Sequence, residues 1–334
     1  MPILKLTAEI IRKPLVKPFA IATGSRDYQD VLYVTLSDGQ YLGRGAATGV
    51  KYLGLTPDIC LQQVKEIQHA LKTTITRQEL LTLLPPTGAR FAIDSALWEL
   101  EAARQNTTVA TLLGINPKPV KTAFTIVLDT PEAMADQARA EAWRPLLKVK
   151  LGGSTQHEIE RIHAVRNAAP KAQLVIDANA AWTGEQFSAY APTIAELGYD
   201  LLEQPFAIGQ DNQLADYAHS LPLCADESFQ DLHDLDRAAK YYDAVNIKLD
   251  KCGGLTAALD IEKAARERGL KIFIGCMLAP TQAIAPAFLL AQKADYVDLD
   301  GPFWFTDKDK QVRLTDQGLF DVIPQELWGT GQKL

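Results

Sequence analysis

The sequence predicts an α/β chain in which an N-terminal α+β domain precedes a (β/α)8 barrel. Three observations predict it. The first third reads as strands followed by helices, the remainder alternates short apolar strands with amphipathic helices, and those strands number eight at nearly even intervals. Strands joined by helices run parallel, because parallel neighbours need a crossover connection, and eight of them close into a TIM barrel.

In the first third, Leu4 to Leu15 is a mixed apolar-polar segment and Val31 to Leu36 is strand-like. Ser37-Asp38-Gly39 is a turn signal, and Tyr41 to Ala46 reads as the hairpin partner. Polar, glycine-containing stretches on either side, Ala22 to Asp30 and Ala47 to Leu55, read as loops. From Asp58 the pattern turns helical, with Phe91, Ile93, Leu97 and Leu100 recurring near a 3.6-residue period. The eight barrel strands are expected at Ala123–Leu128, Leu146–Leu151, Leu174–Ala178, Asp200–Glu203, Leu223–Asp226, Ala244–Leu249, Ile272–Cys276 and Tyr296–Asp300. Between the second and third, His157–Ala169 shows Ile159, Ile162 and Val165 on one face of a helix. An open doubly wound sheet would carry a Gly-rich loop after its first strand, and Asp129-Thr130-Pro131-Glu132 has no glycine. The expected division is a capping domain over 1–118, with 311–334 packing back on it, and a (β/α)7-8 barrel catalytic domain over 119–310.

Composition removes several classes of function. A net charge of −7 with no basic run argues against nucleic acid and against an anionic membrane surface as partners. No apolar stretch is long enough to span a bilayer, and Met1 to Ile10, carrying Lys5 and Glu9, has no signal-peptide core. Cys60, Cys224, Cys252 and Cys276 form no CxxC pair, so reduced thiols in a cytoplasmic protein are expected. A small-molecule substrate remains as partner, and a homo-oligomer is allowed without being specified.

A barrel of this kind does its chemistry at the C-terminal ends of its strands. Those ends carry Lys148-Val149-Lys150, Asp177-Ala178-Asn179, Glu203-Gln204-Pro205, Asp226-Glu227, Asn246-Ile247-Lys248-Leu249-Asp250 and Asp298-Leu299-Asp300. Residues two apart share a face of a strand, so Lys148 and Lys150 point together, as do Asp298 and Asp300. Asp177, Glu203 and Asp226 lie on three consecutive strands. Three carboxylates in one small volume need a cation, and an all-oxygen set suits Mg2+, one per active site, rather than zinc. Lys150 on strand two and Lys248 on strand six are diametrically opposed in an eight-stranded ring, so their amines can approach opposite faces of one carbon. A nearby cation and neighbouring ammonium groups are expected to lower a lysine pKa enough for it to act as a base. Lys148 is placed to stabilise charge on a substrate carboxylate. His69, His157, His163, His219 and His233 lie away from strand ends, which points away from a histidine base.

With these residues in view, the chain resembles the enolase superfamily, its muconate lactonizing subgroup, and within that the dipeptide epimerases of the L-Ala-D/L-Glu epimerase kind. Thr125-Ile126 followed by Asp129-Thr130-Pro131-Glu132, Asn246-Ile247-Lys248 leading to Gly253-Gly254, Gly275-Cys276-Met277 and Asp298-Leu299-Asp300-Gly301-Pro302 carry the resemblance. It implies Mg2+-dependent 1,1-proton transfer at the α-carbon of a dipeptide's C-terminal residue, through an enediolate. It also implies that Asp298 and Asp300 bind the substrate ammonium, with Thr125, Asn179, Cys276 and Met277 around the substrate. The family's arginine for a substrate glutamate aligns with Thr23, and Arg26 is the nearby alternative. Leu278-Ala279-Pro280 follows Met277 where relatives often carry an acidic and a hydroxyl residue. Asp250, on the face of Lys248, is a candidate acceptor for a basic or polar substrate side chain. An N-acylamino acid racemase or an o-succinylbenzoate synthase would share the metal and lysine set. A binding barrel without catalysis would not require it.

Overall fold

The computed structural model describes residues 4–21, 24–68, 75–152, 157–306 and 312–334. Strands β1 (Lys5–Ile21), β2 (Gly24–Ser37) and β3 (Tyr41–Ala47) form an antiparallel sheet that β12 (Gln332–Lys333) completes by pairing with β3. Gly24 to Asp30, expected as loop, continues β2, and its residues pair with the outer half of β1 as far as Ile21. The outer half of this hairpin is mostly exposed, whereas Val31, Leu32, Val34 and Leu36 enter the core. A strand segment that is mostly exposed has little reason to be apolar, so its polarity imitates a loop. The register shifts between Pro14 and Phe19, a segment in which Pro14 and Pro18 have no N–H to give the ladder.

Helices α1 (Pro57–Ile67) and α2 (Arg77–Leu83) start at Thr56 and Thr76, whose side chains accept the N–H groups of Ile59 and Glu79. They lead to α3 (Gly88–Arg104), buried along nearly its whole length, and to the single turn α4 (Val109–Leu112). Helix α3 lies directly on β3. A methyl group at Gly43 would stand 2.0 Å from Ala96 O, and one at Gly45 1.9 Å from Ala92 O, so only glycine permits this approach.

The barrel follows as β4 (Phe124–Ile126), α5 (Pro131–Glu141), β5 (Leu146–Lys150), α6 (Glu158–Ala168), β6 (Gln173–Asp177), α7 (Gly184–Glu196), β7 (Leu201–Glu203), β8 (Leu223–Ala225), α8 (Leu235–Tyr241), β9 (Ala244–Ile247), the turn α9 (Leu249–Cys252), α10 (Leu255–Glu267), β10 (Lys271–Gly275), α11 (Thr281–Leu290) and β11 (Tyr296–Asp298). Each strand is parallel to its neighbours in chain order from β4 to β11. The ring is closed at its seam by the Ala123 N–H donating to Val297 O at 2.8 Å, and the Leu299 N–H donating to Thr122 Oγ1 at 2.8 Å. Between β7 and β8 a 3-10 helix, Asp211–Asp216, stands in place of an α-helix.

Candidate active site

Strand alternation builds the barrel interior in layers. Ala123, Leu146, Val175, Leu201, Cys224, Ala244 and Phe273 form a buried apolar floor. Two residues further along the same strands stand Thr125, Lys148, Asp177, Glu203, Asp226, Asn246 and Gly275, with Asp298 two beyond Tyr296. The side chains of this second layer are buried. Intervening residues such as Val149, Ile176, Leu202, Ala225 and Ile247 turn outward into the main core against the helices. Lys150 and Lys248 stand one step above the second layer, on or beside β5 and β9. These two strands are separated by three strands in either direction around the ring.

The charges form one network. Lys148 Nζ lies 3.0 Å from Asp177 Oδ2, 2.6 Å from Glu203 Oε2 and 3.0 Å from Asp298 Oδ2. Lys150 Nζ is 2.6 Å from Asp177 Oδ2, and Lys248 Nζ is 2.5 Å from Asp226 Oδ2. Lys251 Nζ donates to Asp226 Oδ1 at 2.7 Å and to the Asp226 carbonyl at 2.6 Å. Asn246 Nδ2 donates to Glu203 Oε1 at 2.7 Å. Oxygen atoms of Asp177, Glu203 and Asp226 lie within 4.8 Å of one another, close enough to hold one metal ion. With only hard oxygen donors and no sulfur or imidazole, the set fits a hard divalent cation.

The same closeness sets the protonation pattern. Burial alone would raise the Asp177 carboxyl, but Lys148 and Lys150 outweigh it and hold it below the ordinary range. Asp226 is held down in the same way by Lys248 and Lys251. Glu203 goes the other way, pushed up to about 8 by burial and by the charges of Asp177 and Asp226. Burial and the Asp226 and Asp177 charges also raise Glu227, to about 7. Burial would lower Lys148 and Lys248, yet the surrounding carboxylates win and hold both ammonium groups well above the usual lysine value. Around Lys148 and Lys248 the carboxylates, not fellow ammonium groups, dominate the field.

The remaining candidates separate. Asp298 Oδ1 is buried without a hydrogen-bond partner among the described residues. Asp300 Oδ2 instead accepts the N–H groups of Thr125, at 2.8 Å, and Trp304 Nε1, at 3.2 Å, so it stitches the barrel seam and Thr125 is committed to it. Asn179 Nδ2 donates to Glu227 Oε1 at 3.1 Å, while its Oδ1 is buried and unpartnered. Cys276 and Met277 are half-buried just beyond β10, and burial followed by the Asp298 and Asp300 charges pushes the Cys276 thiol far up, away from nucleophile chemistry. Arg26 lies on β2 opposite Phe19 and donates to Gln29 Oε1 at 2.7 Å. Opposed residues share a face of a hairpin, and Phe19 packs edge-on against Trp304 at 4.7 Å, so Arg26 is on the face turned toward the barrel seam. Thr23 lies outside the described residues. Asp250 corrects the expectation placed on it. Strand β9 ends at Ile247 and the chain folds into α9, so the two-residue alternation stops before Asp250. Its Oδ1 accepts the N–H groups of Thr48 and Gly49, both at 2.8 Å.

Sequence reading missed Lys251, Glu227 and Tyr52. Lys251 comes back to Asp226 because the α9 turn brings residue 251 beside 248, with the Lys251 N–H donating to Lys248 O at 3.0 Å. The Asp250-Lys251-Cys252-Gly253-Gly254 run was the available signal, since Gly-Gly after a lysine marks a helical turn closing. Tyr52, in the loop after β3, lies within the field of Asp226 and Lys248.

Comparison with known proteins agrees with this geometry. Residues 132–325 match the model described as enolase C-terminal domain-like, and residues 5–114 match that of the mandelate racemase / muconate lactonizing enzyme N-terminal domain. The chain is 41% identical over 295 residues to the L-Ala-D/L-Glu epimerase of Escherichia coli (strain K12), covering 87% of this chain and 91% of that protein. It is 35% identical over 302 residues to an N-acetyl-D-glutamate racemase from Pseudoalteromonas sp, covering 90% of this chain and 95% of the relative. A crystal structure of an enolase family member from Agrobacterium tumefaciens, with homology to dipeptide epimerases and with bound sodium and L-Ala-L-Glu, matches with a TM-score of 0.93 at 38% identity, covering 98% of this chain and 100% of that one.

Proposed function

This chain belongs to the mandelate racemase / muconate lactonizing enzyme family of the enolase superfamily, and from that premise we propose that it is a dipeptide epimerase acting at the α-carbon of the C-terminal residue. The observation that carries the reading is the pair Lys150 and Lys248, three strands apart in either direction, with Asp177, Glu203 and Asp226 between them. In this reading residues 1–118 with 311–334 cap a catalytic barrel over 119–310.

Asp177, Glu203 and Asp226 would hold one Mg2+, which would supply positive charge to the substrate carboxylate. Positive charge there would also oppose the carboxylates that raise Lys248, so that an unprotonated amine can serve as base. Lys150 or Lys248, unprotonated, takes the α-proton from its side. The electron pair moves into the carboxylate to form an enediolate, and Lys148 stabilises the added negative charge. The opposed lysine, as ammonium, returns a proton to the other face, which inverts the centre. The roles exchange with the configuration of the substrate. Asp298, through its unpartnered Oδ1, receives the free ammonium of the N-terminal residue, with Asp300 holding the seam beside it. Asn179, Cys276 and Met277 line the substrate, and Arg26 or Thr23 meets an acidic side chain. Four cysteines without a disulfide support a cytoplasmic setting. No described helix is long and apolar enough to cross a membrane.

The test is incubation with Mg2+ in D2O, read by mass spectrometry, of L-Ala-L-Glu beside N-acetyl-L-glutamate. The expected result is a gain of one mass unit and formation of the second epimer for the dipeptide. The likeness to an N-acetyl-D-glutamate racemase favours a second reading, N-acylamino acid racemisation. Exchange of the N-acetyl compound with none of the dipeptide would replace the first reading with the second.

A further inference from the structure

The two opposed lysines are held in different ways. Lys150 is the last residue of β5 and is in ladder register with Asp177 of β6. Lys248 lies one residue past the end of β9, outside any ladder, at the start of the α9 turn. Its station therefore depends on what fixes that turn.

Inside the barrel Lys251 ties the turn to Asp226, and a second set of contacts fixes it from outside. Arg90 of α3, buried, donates to four backbone carbonyls. Cys252 O at 2.6 Å and Gly253 O at 3.1 Å belong to the turn, and Leu84 O at 3.0 Å and Leu81 O at 3.2 Å to the segment before α3. Asp94, one helical turn further along α3, accepts the Thr256 hydroxyl at 2.5 Å and the Thr256 N–H at 3.1 Å. Gly253 and Gly254 have φ of +75° and +122°, and a methyl group there would stand 2.4 Å from Arg90 Nε and 2.6 Å from Asp94 Oδ2. The turn itself reaches back through Asp250, whose carboxylate takes the N–H groups of Thr48 and Gly49. Those two residues open the loop that carries Tyr52 to the neighbourhood of Lys248 and Asp226.

We propose that Asp250 is a positioning residue for Lys248: together with Arg90 and Asp94 it fastens the α9 turn to the capping layer, so that one of the two catalytic amines is placed in part by contacts outside the barrel while the other is placed by the sheet. This rests on the two-base reading of Lys150 and Lys248. Loosening the turn displaces the Lys248 amine and leaves Lys150 where the ladder puts it. Misplacing a reacting group by about 1 Å costs on the order of a hundredfold in rate. The loss falls on one enantioface only.

The experiment compares the full-length wild-type protein with Asp250→Ala and Asp250→Asn, each with Mg2+. In D2O, α-proton exchange is followed separately from L-Ala-L-Glu and L-Ala-D-Glu at short times, before epimerisation mixes them. The expected result for Asp250→Ala is a roughly ten- to hundredfold loss of exchange from one epimer and a loss under about threefold from the other. Asp250→Asn, whose amide oxygen still accepts both N–H groups, returns close to wild type. Equal losses from both epimers, or none, would overturn the proposal. Amide hydrogen exchange of the same proteins without substrate gives an independent reading. Asp250→Ala is expected to lose protection at Thr48, Gly49 and residues 248–256, and unchanged protection would also overturn the proposal. If Asp250→Ala does not fold, Asp250→Glu, which moves the carboxylate by one methylene, is read by the same criteria. A wild-type protein that exchanges neither dipeptide defeats the proposed function, and the amide exchange then decides the fastening by itself.

Discussion

At the scale of single residues, two acids that look equivalent in sequence do different work. Asp298 and Asp300 share a strand face, yet one carboxylate oxygen of Asp300 is taken up by Thr125 and Trp304, whereas Asp298 keeps a buried oxygen free beside Lys148. Replacement of Asp298 by Asn is expected to lower kcat/KM for L-Ala-L-Glu by roughly ten- to hundredfold, the worth of a hydrogen bond to a charged group. Activity on an N-acylated amino acid, which brings no ammonium, should fall far less. Steady-state kinetics on the two substrates checks this, and equal losses would remove Asp298 from ammonium recognition. Lys148, Lys150, Asp177, Glu203 and Asp226 were readable because each is at the end of a strand, where a period of two decides direction. Asp250 and Lys251 were not, because the period changes at Lys248 from strand to helix and side-chain direction changes with it. Arg26 is legible as a cation near the site, but its partner Gln29 is known only from the hairpin's register.

At the scale of elements, α3 joins the two parts of the chain. It packs on β3 through Gly43 and Gly45 and binds the start of α10 through Asp94 and Thr256. Burial raises the Asp94 carboxyl from an ordinary 3.8 to about 6, partly offset by its hydrogen bonds from Thr256. The folded protein therefore holds this proton more tightly than the unfolded chain. Such a group contributes stability fully below about pH 4 and loses it as pH rises toward 6. Between those limits the wild type should lose about 2 kcal/mol relative to Asp94→Asn, whose side chain does not titrate. Urea denaturation of both proteins across pH 4 to 6 checks the difference, and parallel curves would show that Asp94 is ionised throughout. The eight strands of the barrel were readable from apolar runs, and the structure moves no strand end by more than two residues. The outer part of the β1–β2 hairpin was not readable, since most of its β2 residues from Gly24 to Tyr28 are exposed and polar and so carry no hydrophobic alternation.

At the scale of the whole molecule, an apolar floor closes the barrel below and a capping layer covers it above, and between them the chain buries four carboxylates against four amines. Such an arrangement is costly to bury and is only partly relieved by its internal pairing, as the raised Glu203 shows. A divalent cation bound among Asp177, Glu203 and Asp226 should therefore stabilise the fold, by about 2.7 kcal/mol at a hundred times its Kd. Thermal unfolding with Mg2+ against excess chelator should show a higher Tm with the ion, and Asp226→Asn should abolish the difference. An unchanged Tm in the wild type would argue that these acids hold no metal. The central claim is that Lys150 and Lys248 serve opposite faces of one carbon, and the most direct measurement is α-proton exchange in D2O by Lys150→Met and Lys248→Met. Neither variant should epimerise L-Ala-L-Glu, since each lacks one partner. Each should still exchange the α-proton of one epimer only, and the two variants should choose opposite epimers. If both variants exchanged the same epimer, or if either still epimerised, the opposed two-lysine account would be contradicted.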